Sequence, residues 1–153
     1  MKKLLIATTA ALAAMSAPVH ALTATGTFNV VINLTSKCEI NSTNAATGAV
    51  ISDLTFAYTS FQTTSSTAST GFNVRCTNSL PYSLALSGSS VTDTAVDLAY
   101  TLALSAATGT GNGADQAFTV TGNMAAGQAG TCATATCSNT AATNKTKTLT
   151  VTY

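Results

Sequence analysis

Four cysteines, Cys38, Cys76, Cys132 and Cys137, are the residues of this chain best suited to covalent chemistry. An even count in an exported chain reads as a disulfide framework. Four cysteines allow three connectivities. Spacing favours Cys38–Cys76 with Cys132–Cys137, because each pair then closes within one half of the chain. On the loop-entropy model the first bridge contributes about 4 kcal/mol and the shorter one about 2 kcal/mol. A zinc site is the competing use of four thiolates, but it asks for Cys-x2-Cys or histidine spacing that is absent here. The carboxylates Asp93 and Asp97 are the other close pair. In a polar loop such a pair is ordinarily solvated surface. The single histidine, His20, precedes the expected cleavage point, so the commonest general base leaves the mature chain. Residues 108–113 are Gly-rich but open no helix, which makes them a flexible loop rather than a phosphate cradle. The expectation is a protein that is not an enzyme and holds no cofactor and no metal.

Export is read from the first residues. Met1, Lys2 and Lys3 give a basic start, residues 4–14 a short apolar run, and Val19, His20 and Ala21 a small-x-small cleavage site. Removing 21 residues from 153 leaves 132, the size of one domain. Only 7% of the residues are charged and the balance is near zero, which gives neither nucleic acid nor an anionic membrane surface a handle. No second long apolar run follows, so no helical membrane span is expected.

The elements that must position the cysteines read as short strands. Apolar residues alternate in 25–35, in 49–58 (most cleanly from Leu54), in 71–76, in 82–88, in 95–106, in 117–122 and in 147–153. Residues 41–48, 59–70, 77–81 and 124–143 read as turns or loops. Thr at the outward positions suits a pleated, half-exposed surface. Gly and Thr content argues against a long helix through the Ala-rich parts. The fold class expected is an all-β sandwich.

Two runs need a partner. In 25–35, Phe28, Val30, Ile32 and Leu34 share one face and Thr27, Asn29, Asn33 and Thr35 the other, with Val31 the apolar exception. The run 147–153 places Lys147, Leu149, Val151 and Tyr153 on one face and has no hairpin partner after it. A sandwich lacking its last strand would expose core and an unpaired edge, which a strand from outside could repair. Alternatively 25–35 pairs within its own domain. The residues alone leave both readings open.

In this pattern the chain resembles the spore coat protein U family, which includes subunits of archaic chaperone–usher pili. Five patches carry the resemblance: residues 26–38 ending in Cys38, Leu54-Thr55-Phe56, residues 72–76 ending in Cys76, residues 81–88, and the terminal 149–153. Ala57 departs from the family's glycine, and the cysteine loop of 132–137 stands where the family has Gly-x-Tyr-x-Asp. The resemblance implies an incomplete immunoglobulin-like pilin sandwich, residues 33–153, completed by a donor strand from a partner. It implies a donor segment at 22–32, with Phe28, Val30 and Ile32 as plugs, and a chaperone-facing strand carrying Leu149, Val151 and Tyr153. It also implies a periplasmic chaperone, an outer-membrane usher and self-polymerisation into a surface fimbria that serves adhesion and biofilm formation. The rival readings are a secreted glycan-binding sandwich, with Tyr58, Tyr82 and Tyr100 as stacking faces, and a non-polymerising coat protein.

Overall fold

The structure is a computed structural model and describes residues 22–41, 43–44, 49–139 and 145–153. The expected leader, 1–21, lies outside them, as do parts of the loops at 41–48 and 124–143. The chain divides into two units, Met1–Asn33 and Leu34–Tyr153. In the first, residues 22–33 join no strand ladder, and Phe28, Val30 and Ile32 are 86%, 74% and 83% exposed. Among the described residues, 25–35 joins no strand.

The second unit is all-β, with no helix among the described residues. Its strands are β1 (Cys38–Ile40), β2 (Thr43–Asn44), β3 (Ser66–Cys76), β4 (Pro81–Leu86), β5 (Ser90–Asp93), β6 (Leu98–Leu104), β7 (Thr108–Thr110), β8 (Gln116–Met124) and β9 (Leu149–Thr152). They form two sheets, one ordered β2-β1-β3-β8-β6-β5 and one ordered β7-β4-β9. Every pairing is antiparallel.

The period of two dictates which side chains meet. Along β8, Phe118, Val120, Gly122 and Met124 turn inward, while Ala117, Thr119, Thr121 and Asn123 turn to solvent. Register places Phe72 opposite Phe118, and their rings stack with centroids 5.8 Å apart. Tyr82 of β4 closes on Phe118 edge-on from the second sheet. Val74, Cys76 and Cys38 complete this end of the core. The Cys38–Cys76 bridge joins β1 to β3 at a register pair, and Cys132 is bonded to Cys137 in an exposed loop.

Several elements differ from the sequence expectation. Residues 108–110, expected as flexible loop, form β7 against β4. Gly109 fits there because its missing side chain leaves room for the Tyr82 ring. β3 begins at Ser66 rather than Gly71, and β5 was not anticipated. These stretches are mostly Ser, Thr and Gly, with Ala68, Val91 and Asp93 the exceptions, and so carry too weak a hydrophobic period to detect. Conversely, residues 49–58 belong to no ladder although their burial alternates at Leu54, Phe56 and Tyr58. Their pattern is visible in the sequence, but among the described residues no strand pairs with them.

Candidate functional site

The small sheet ends in an open edge. Among the described residues β9 pairs only with β4, matching Leu149 to Leu86, Val151 to Leu84 and Thr152 to Ser83. Just beyond, the Ser87 N–H donates to the Thr148 carbonyl at 2.9 Å. In an antiparallel ladder, residues alternate between facing the partner and facing away. Thr148, Thr150 and Thr152 therefore face β4, and Leu149, Val151 and Tyr153 turn their N–H and C=O groups to the free edge. Leu149 and Val151 are also the β9 residues whose side chains pack on the core. One and the same set of residues thus offers an unpaired backbone row and an apolar row. Sequence singled out this set as the strand that would face a partner.

A second part of the same core is covered by 50–58. Phe56 lies against Gly122, where any side chain would collide with its ring, and it packs on Tyr100 at 5.9 Å between centroids. Leu54 sits beside it. The segment is fastened by side chains: Thr70 Oγ1 donates to the Ser52 carbonyl and Ser66 Oγ to the Ala57 carbonyl, both at 2.8 Å. Among the described residues no backbone–backbone bond holds 50–58, and none joins it to β9.

The core between these elements is thinly covered. Leu86, Leu102, Leu104, Leu149, Val151 and Ile51 pack on the buried cluster but are themselves only half-buried. Aliphatic side chains in this state leave removable apolar surface, worth about 25 cal/mol per Å² if covered. Leu102, Leu104 and Ile51 were not singled out from sequence. The alternation of Leu102 and Leu104 gives their side of the strand but not that this side lacks a lid, and in 49–58 the sequence named Val50 with Leu54 and Phe56, whereas Val50 is 86% exposed and Ile51 packs on the core.

The other residues that sequence raised have different placements. Tyr82 is buried, its hydroxyl donating to Gln116 Oε1 at 2.9 Å, and burial pushes its pKa up. The Tyr58 hydroxyl donates to the Ala125 carbonyl and accepts from the Gln128 N–H. The Tyr100 ring packs on Phe56 at a tilt of 44°, and burial followed by nearby Asp93 raises its pKa. Tyr82 and Tyr100 thus engage their rings within the fold, and Tyr58 engages its hydroxyl. Asp93 is 2% exposed and caps its own turn, accepting from the N–H groups of Ala95 and Val96 and from Asn139 Nδ2. Asp97 sits in the left-handed region at φ 49°.

One charged cluster was not anticipated. Glu39 on β1 accepts from Lys37 Nζ at 2.7 Å and from Arg75 Nη2 at 2.6 Å. Those bonds, Lys37 first and Arg75 second, hold its pKa below the ordinary carboxylate value. No helix among the described residues is long and apolar enough to cross a membrane. No family model, curated protein or solved structure matches the chain.

Proposed function

We propose that this chain is the structural subunit of a surface fimbria, joined to its neighbours by donor-strand exchange. The observation that carries the reading is the pairing of need and supply. The Leu149–Val151–Tyr153 edge lacks a strand and the core beneath is half-covered. Residues 22–33 form no ladder of their own and hold Phe28, Val30 and Ile32 in alternation, exposed. A strand from a second copy would satisfy the backbone row of β9 and bury these side chains over the open core. Fully buried, each contributes about 1.5–3 kcal/mol. The resemblance to the spore coat protein U family points the same way. It adds the expected partners: a periplasmic chaperone that lends a strand first, and an outer-membrane usher where subunits exchange it.

Gel mobility of purified mature protein tests this. An unheated sample should run as a ladder that boiling in detergent collapses to monomer, and deletion of 22–32 should abolish the ladder. Monomer in both forms would overturn the reading. Phe28→Asp should weaken joining by placing an unpaired charge in an apolar groove.

A further inference from the structure

Phe61 stands where a phenylalanine is costly. Residues 59–62 make a tight turn in which the Gln62 N–H donates to the Thr59 carbonyl at 3.0 Å. Phe61 is its third residue, at φ 63°. That is the position where such a turn takes Gly or Asn, because the left-handed region brings a side chain's Cβ against the backbone. The side chain recovers little inside the fold, since it is 70% exposed. Nor is the turn loose. The Phe61 N–H donates to the Gln128 carbonyl, the Gly127 N–H to the Gln62 carbonyl, and Ser60 Oγ to the Ala129 carbonyl at 2.6 Å. A strained, exposed aromatic on a rigid mount is a device for binding something outside the domain.

The topology indicates what that is. The turn lies at the pole where β3 begins and β8 ends, since Ser66 pairs with Met124. The chain enters the domain at the opposite pole, where Cys38 pairs with Cys76 and the Lys37 N–H is tied to Thr77 Oγ1. β9 runs toward that entry pole, with Leu149 opposite Leu86 and Thr152 opposite Ser83. A donor strand antiparallel to β9 therefore runs away from the entry pole, and its C-terminal end arrives near the Phe61 pole. The 12 residues 22–33 span about 40 Å extended, and the 11 of β3 about 36 Å. The next copy's domain, which starts directly after its donor segment, then meets the Phe61 pole with its own entry pole. A parallel donor would bring that domain onto the pole where the acceptor's own donor segment leaves.

We propose that Phe61 is a subunit–subunit contact, packing against the entry pole of the next copy of this chain. The surface it meets there is built from Lys37 and the turn at 77–80. This rests on donor-strand joining, and the experiment separates the two. Phe61→Cys and Asn78→Cys are combined in the full chain; both positions are exposed and every native cysteine among the described residues is in a disulfide. Assembled fimbriae are treated with a short bismaleimide and boiled. The expected result is a boiling-resistant ladder from the double variant and monomer from either single variant. A ladder before heating that boils to monomer despite the cross-linker would overturn the Phe61 contact and leave donor-strand joining intact. No ladder before heating, in the unsubstituted protein too, would overturn both. As a second readout, Phe61→Asn should widen the spread of angles between adjacent subunits in electron micrographs, and an unchanged spread would count against the contact.

Discussion

The side-chain amide of Gln128 takes both backbone groups of Ala99. Ala99 N–H donates to Gln128 Oε1 at 2.6 Å, and Gln128 Nε2 donates to the Ala99 carbonyl at 2.9 Å. β8 pairs with β6 only from Thr101 to Leu104, so the amide continues the ladder where the strand has turned away. The backbone of Gln128 meanwhile ties Tyr58 and Phe61. Gln128→Ala should cost about 1–2 kcal/mol in urea unfolding, from three lost side-chain bonds whose partners water can still reach. Gln128→Glu keeps the acceptor but loses the donor toward the Ala99 carbonyl. Protonation restores that donor, so the folded pKa of this glutamate should be raised. The variant should gain stability as pH falls through that value, and a flat pH response would contradict the bidentate role.

Gly122 and Phe56 should be coupled. A side chain at Gly122 collides with the Phe56 ring. Gly122→Ala should destabilise by about 1–3 kcal/mol through overpacking. In a double-mutant cycle with Phe56→Ala the combined loss should be smaller than the sum of the two single losses, because the second change removes the collision. Simple additivity would mean that 50–58 does not lie on β8.

Glu39 sets an acid limb. Its pKa is depressed in the folded state, so the unfolded chain binds the proton more readily. Its contribution is therefore present above the ordinary glutamate value of about 4.3 and is lost as pH falls through the depressed folded value. Glu39→Gln should flatten stability against pH on the acid side. Because Lys37 and Arg75 reach the carboxylate from exposed positions, the effect should shrink in molar salt.

The two disulfides should differ in weight. Replacing Cys38 and Cys76 by Ser opens a loop with a sequence separation of 38, in a buried position. The loss should be about 4 kcal/mol, against about 2 kcal/mol for the exposed pair separated by 5. Equilibrium unfolding of the two double variants compares them directly. Equal losses would show that loop length does not govern this fold.

Much of this was legible along the chain, because β structure writes its faces with a period of two. Phe72 and Val74, and Leu149 and Val151, announced their inner face by alternation alone. The cysteine spacing favoured the pairing found. What alternation cannot carry is which edges find partners. The run at 49–58 looks like a strand and joins no ladder, and 108–110 looks like a loop and joins one, since pairing depends on what lies alongside in space. The open edge of β9, the amide of Gln128 standing in for a strand, and the exposed Phe61 were decided only by the tertiary fold. Each depends on where two distant segments meet, and a backbone hydrogen bond made or missing between such segments leaves no mark on residue type.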